Sequence, residues 1–150
     1  MDWTRAVDHY CERVGPAFWA EPVNAVTNLA FIAAALWIWP RTFGLGRAMA
    51  AVLFAIGVGS FLFHSFAQPW AELADVLPIL GFILLYVFAA NRDFLGFGTV
   101  TALGMTALFL PYAMAVGWLF SQVPGLGSSA AYVPVPVLIA IYAVVLRRRA

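Results

Sequence analysis

Five apolar stretches, each close to the length of a bilayer crossing, decide what this chain can fold into. A membrane-spanning helix needs about 20 mostly apolar residues. Such segments run from about Pro22 to Trp39, Leu45 to Phe66, Ala71 to Ala90, Phe94 to Phe120 and Ala130 to Leu146. Pro40 ends the first, the second ends near Pro69, and Asn91-Arg92-Asp93 closes the third; Pro134 and Pro136 soften the start of the fifth. Only 10% of the residues are charged and 64% are hydrophobic, against about a quarter charged in a soluble domain. That is too little polar surface to cover a water-soluble fold. The sequence therefore predicts an all-α membrane protein, with residues 1–150 as one domain. Its short connections make neighbouring helices antiparallel, giving a bundle of about five transmembrane helices.

The charges add an orientation. A net charge of +1 gives no pointer to nucleic acid, and the expected partner is the lipid bilayer. One cysteine, Cys11, excludes an internal disulfide framework. Asp2, Arg5, Asp8, Glu12 and Arg13 near the start do not resemble a cleavable signal peptide, which has a basic start and an apolar run. Lys and Arg gather on the cytoplasmic side of membrane proteins. Arg41 and Arg47 flank the first connection, Arg92 sits in the third, and Arg147-Arg148-Arg149 closes the chain, while the second and fourth connections carry no Lys or Arg. This alternation predicts the N-terminus outside and the C-terminus in the cytoplasm.

With that topology, Asp8, Glu12, Glu21, Ser60, His64 and Asp75 all fall toward one membrane face. Ser60 and His64 are one helical turn apart on the same side of the second helix. His64 and Asp75 flank a short hairpin and can meet across it. Glu21, Asn24 and Asn28 form a polar stripe on the first helix, with Thr27 beside it, and such stripes face a bundle interior or a water cavity. Gly57 and Gly59 lack side chains and would let another helix come close. Each residue alone also has a structural reading. Ser60 could bond back to the helix backbone, His64 could serve packing or hydrogen bonding, the asparagines could join helices, and Glu72 and Asp75 could suit a helix start. The six tryptophans fall mostly near span ends, as an interfacial belt does.

Two ordered motifs carry a family resemblance. YCERVGPAFWAEPVNAVTNLAF, Tyr10 to Phe31, resembles the N-terminal motif of the alkaline ceramidase family, an acidic Cys-Glu segment followed by a Glu and an Asn-x-x-Ser/Thr-Asn helix start. GVGSFLFHSFAQPWAELADVLP, Gly57 to Pro78, resembles its second motif: a Gly-Ser, a His four on, an Asp eleven further, then Pro. The bacterial branch fits best, through YCER and FWAEP, and the resemblance spans about Asp8 to Pro78. It implies a seven-helix membrane hydrolase that cleaves the amide of ceramide or a related N-acyl lipid, here in a bacterial inner membrane. By the same resemblance His64 is a zinc ligand, Asp75 the general base for a zinc-bound water, and Ser60 the group that stabilises the oxyanion or positions the water. Asp8, Glu12 and Glu21 would hold calcium, with backbone help near Tyr10.

The family's other two zinc histidines lie four residues apart on its last helix, whereas this sequence has only His9 and His64. A catalytic zinc site typically takes three protein ligands. The resemblance therefore implies a C-terminally incomplete member, lacking about two helices and with little or no activity of its own. The alternative is a short, non-catalytic relative that binds lipid or acts as a membrane scaffold.

Overall fold

The computed structural model describes residues 2–7 and 12–148, without the side chain of Ser128. Asp8 and His9, together with Tyr10 and Cys11, lie outside the described residues. Five helical segments are long and apolar enough to cross a membrane: Pro22–Arg41, Leu45–Phe66, Pro69–Phe94, Thr99–Ser121 and Ser129–Arg147. The chain is thus an all-α integral membrane protein, and no strand occurs among the described residues. It divides into two compact units, Met1–Leu85 and Tyr86–Ala150.

In the first unit the opening span is broken into α1 (Pro22–Thr27) and α2 (Leu29–Ile38). The break has a local cause. The Thr27 hydroxyl donates to the carbonyls of Val23 and Asn24, and Asn28 Nδ2 donates to the Asn24 carbonyl at 2.8 Å. Side chains thus bond to helix carbonyls in competition with backbone N–H groups. A 3₁₀ turn at Trp39–Arg41, started by Pro40, ends the span.

α3 (Leu45–Phe66) runs back antiparallel, with Gly57 against Asn28 and Ile32 at one level and Ala50, Ala51 and Phe54 near Ala35, Leu36 and Trp39 further along. It stops where Ala67 turns left-handed (φ 46°), and Pro69 at once begins α4 (Pro69–Ala89). The Val7 N–H bonds to the Ala67 carbonyl at 2.8 Å, strapping the N-terminal segment to this corner, and Val7 packs there with Phe63 and Ala71.

The α3–α4 contact is built around Gly59. Pro78 lies inside α4 and has no N–H to offer the carbonyl four residues back, that of Ala74. Gly59 packs against that carbonyl: a Cβ at Gly59 would fall 1.9 Å from the Ala74 oxygen. The missing side chain and the freed carbonyl therefore match, and the neighbouring residues Ser60 and Asp75 are brought face to face.

The second unit begins near the end of α4, which widens into a π turn at Ala90–Phe94. Asn91 is fully buried there; its Nδ2 donates to the Val87 carbonyl and its Oδ1 accepts from the Tyr142 hydroxyl at 3.1 Å. The fourth span starts at Thr99, later than Phe94 as expected from sequence, because the π turn carries the third span to Phe94 and Gly96 then turns left-handed (φ 74°). The span is interrupted at Leu108 between α5 (Thr99–Ala107) and α6 (Phe109–Ser121). Pro111 explains the interruption, since it cannot donate to the Ala107 carbonyl. A 3₁₀ turn at Gly127–Tyr132 leads into α7 (Pro134–Arg147), and the Tyr112 hydroxyl ties α6 to it through the Pro134 carbonyl at 3.0 Å.

Gly59→Ala is expected to destabilise the protein by about 3 kcal/mol or more, at the upper end of overpacking costs. Gly81→Ala, where a Cβ meets nothing within 4 Å, should stay within about 1 kcal/mol of wild type. Thermal unfolding of the two variants in detergent checks the contrast.

Candidate functional site

The polar residues gather at the end of α3 that carries His64. Ser60, His64 and Asp75 are 6%, 8% and 7% exposed, and Glu21 is 2% exposed. Burying four such groups is unfavourable unless each is hydrogen-bonded. The Ser60 hydroxyl donates to Asp75 Oδ1 across the α3–α4 contact. His64 Nδ1 lies 2.6 Å from Glu21 Oε2. A carboxylate only accepts, so Nδ1 carries the hydrogen.

Glu21 is the centre of a wider network. Its other oxygen, Oε1, accepts from Arg13 Nε at 2.5 Å, and Asn24 Nδ2 donates to Oε2 at 3.3 Å. The Arg13 guanidinium also donates to the carbonyls of Gly15 and His64, at 3.0 and 2.9 Å. One arginine therefore joins the N-terminal segment, the start of α1 and the last turn of α3. Burial alone raises the pKa of Glu21, but hydrogen bonds from His64, Arg13 and Asn24 outweigh it and hold the carboxyl below its ordinary 4.5.

Glu12 is occupied differently. Its two oxygens accept the backbone N–H groups of Val23 and Asn24 at 2.8 and 3.1 Å. Pro22, the first residue of α1, has no N–H, so Glu12 satisfies the next two donors of that helix end. Phe18 and Trp19 close this end with edge-on ring contacts to Phe61, and Phe18 also touches Phe66.

Ser60 and Asp75 thus meet directly, and His64 lies one turn along α3, bonded to Glu21 rather than to Asp75. Glu12 and Glu21 share no cage: one caps a helix, and the other is paired with Arg13 and His64. Asp8, the third expected calcium ligand, lies outside the described residues. Among the described residues no three His, Cys, Asp or Glu side chains gather as a metal site would require. They offer His64 and an orienting carboxylate, the arrangement of one metal-binding histidine and its outer partner, but they do not by themselves fit a complete zinc or calcium set.

No protein-family model, curated protein or solved structure matches the chain.

Arg13 went unread in the sequence as a site residue. The signal for it was present: a lone cation between Glu12 and Glu21, beside a span whose buried end carries more carboxylates than cations. Ser65 was also passed over; it is 1% exposed and its hydroxyl has no hydrogen-bond partner among the described residues.

The lowered pKa of Glu21 fixes the sign of a pH dependence. A carboxyl depressed in the folded state contributes stability that is present above its unfolded pKa and is lost as pH falls through the folded value. The protein should therefore lose thermal stability on acidification below about pH 4.5. Glu21→Gln should be less stable at about pH 7, by about 3–5 kcal/mol as for a broken buried ion pair, and should respond less to acid. Unfolding midpoints of both proteins across the pH range test this; parallel curves would contradict it.

Proposed function

We propose that the chain is a ceramidase-like integral membrane amidohydrolase, or the part of one that carries Ser60, His64 and Asp75. Its substrate class is ceramide or a related N-acyl lipid, reached from the bilayer. Its setting is a bacterial inner membrane, with the N-terminus outside and the C-terminus in the cytoplasm. The supporting observation is the Ser60 hydroxyl bonded to Asp75 across two helices, with His64 one turn away and its ring held by a carboxylate.

Amide hydrolysis needs a base for the attacking water, a donor for the oxyanion and a group that delivers a proton to the leaving nitrogen. Asp75 is suited to the first role and the Ser60 hydroxyl to the second. Glu21 fixes one tautomer and one orientation of His64 by accepting from Nδ1. Zinc and calcium belong to this reading as the cofactors that the resemblance implies. The described residues would supply one zinc ligand, and any further ligands must come from elsewhere.

A second reading is a non-catalytic lipid-binding or scaffold protein. It is favoured by the way the charges at this end already answer one another, Glu21 with Arg13 and His64, and Asp75 with Ser60.

The purified 150-residue chain is expected to bind long-chain ceramide saturably, to turn it over at or near background, and to carry less than one zinc per chain by elemental analysis. Robust hydrolysis that disappears in His64→Ala would show that the chain completes its own site. Failure to bind any N-acyl lipid would count against both readings.

A further inference from the structure

The opposite end of α3 carries a different arrangement. Arg47, in its first turn, is about 25 Å from His64 along the helix at about 1.5 Å per residue. Its guanidinium lies over the rings of Trp39 and Phe43, at 5.3 and 5.1 Å. Its Nε is buried and has no hydrogen-bond partner among the described residues. Arg41 stacks on Trp37 at 4.5 Å and donates to that residue's carbonyl. Among the described residues neither arginine is paired with a carboxylate. The N-terminus of α3 has no side-chain cap and no acidic residue in its first turn. A cation at a helix N-terminus opposes the positive end of the dipole, so Arg47 adds positive charge where the helix itself already favours an anion.

Trp39, under Arg47, also walls an apolar cavity of about 350 Å³ between α2 and α3, lined with it by Ala35, Leu36, Ala50, Ala51 and Phe54. Three of its six lining residues are alanines, and Trp39 belongs both to its wall and to the ring pair under Arg47. Two cations with no carboxylate partner among the described residues, at the end of the hairpin that holds an apolar slot, match a molecule with an anionic head and a hydrocarbon tail.

We propose that this end of the α2–α3 hairpin is a binding site for an anionic phospholipid. The phosphate is held by Arg47 and Arg41, and one acyl chain lies in the slot between Ala35 and Ala51. Arg47 Nε supplies a hydrogen bond that nothing in the described chain takes up. The site is independent of the amidohydrolase reading, since it shares no side chain with the polar cluster at the other end of α3.

Native mass spectrometry of the detergent-solubilised protein, titrated with phosphatidylglycerol or phosphatidylcholine of the same acyl chains, tests the proposal. The anionic lipid is expected to bind about tenfold more tightly. Arg41→Gln/Arg47→Gln should abolish that preference, Arg47→Lys should keep part of it, and Ala51→Phe should weaken both lipids by filling the slot. Equal binding of the two lipids by wild type, or a preference unchanged in the double variant, would overturn it. A second measurement needs no arginine variant. Phosphatidylglycerol with brominated acyl chains should quench tryptophan fluorescence in wild type, and Trp39→Phe should remove a distinct part of the quenching. Identical quenching in both would refute the slot.

Discussion

A buried carboxylate at the edge of a membrane span is the constraint around which the first unit is arranged. Glu21 is 2% exposed and cannot be left there as a lone charge. Arg13 answers it from the N-terminal segment and His64 from the last turn of α3. Because Arg13 also holds the His64 carbonyl, the same contact ties down a helix end whose carbonyls would otherwise need partners. Glu12 does the corresponding work at the start of α1. Removing Arg13 would take away the cation that answers Glu21 and the donor to the His64 carbonyl together, which is why the segment before the first span is part of the fold rather than a loose tail.

The second support is a steric match rather than a charge. Pro78 takes one hydrogen bond out of α4, and Gly59 lets α3 come up against the carbonyl so released. Gly57, two residues earlier and so on nearly the opposite side of α3, performs a similar role against Asn28 and Ile32. α3 therefore has a close neighbour on two sides, and its polar side chains lie in the gap where little room remains for water. Ser60 and Asp75 meet because the backbones behind them are close. The hydroxyl–carboxylate pair depends on a glycine and a proline that carry no chemistry themselves.

Much of this was legible in the sequence. Mean hydropathy marks a span because twenty residues vote together, so all five were found, most of their ends within a few residues. The grouping of Ser60, His64 and Asp75 followed from helical period and a short hairpin. What escaped was what single residues decide. One missing N–H at Pro111 interrupts the fourth span at Leu108, and Thr27 and Asn28 interrupt the first. Asn91, in the π turn, is bonded by Tyr142, 51 positions away. Arg13 reaches His64 across the same separation. No local pattern encodes such pairs; they appear only once the helices are packed.

The two ends of α3 differ in how completely their charges are answered, and this bears on what each can bind. At the His64 end a metal ion at Glu21 would have to displace Arg13 or the His64 N–H, so its binding would be opposed by contacts already made. Calcium at Glu12 would compete with two backbone N–H groups in the same way. At the Arg47 end the balance is reversed. The guanidinium is stacked on aromatic rings, which are weaker partners for a cation than a carboxylate, and its Nε has no acceptor among the described residues. A ligand carrying an anion would add an interaction there without breaking one. Glu21 is answered from within the fold by Arg13 and His64, whereas Arg41 and Arg47 are left stacked on aromatic rings, and the proposed lipid site rests on that asymmetry.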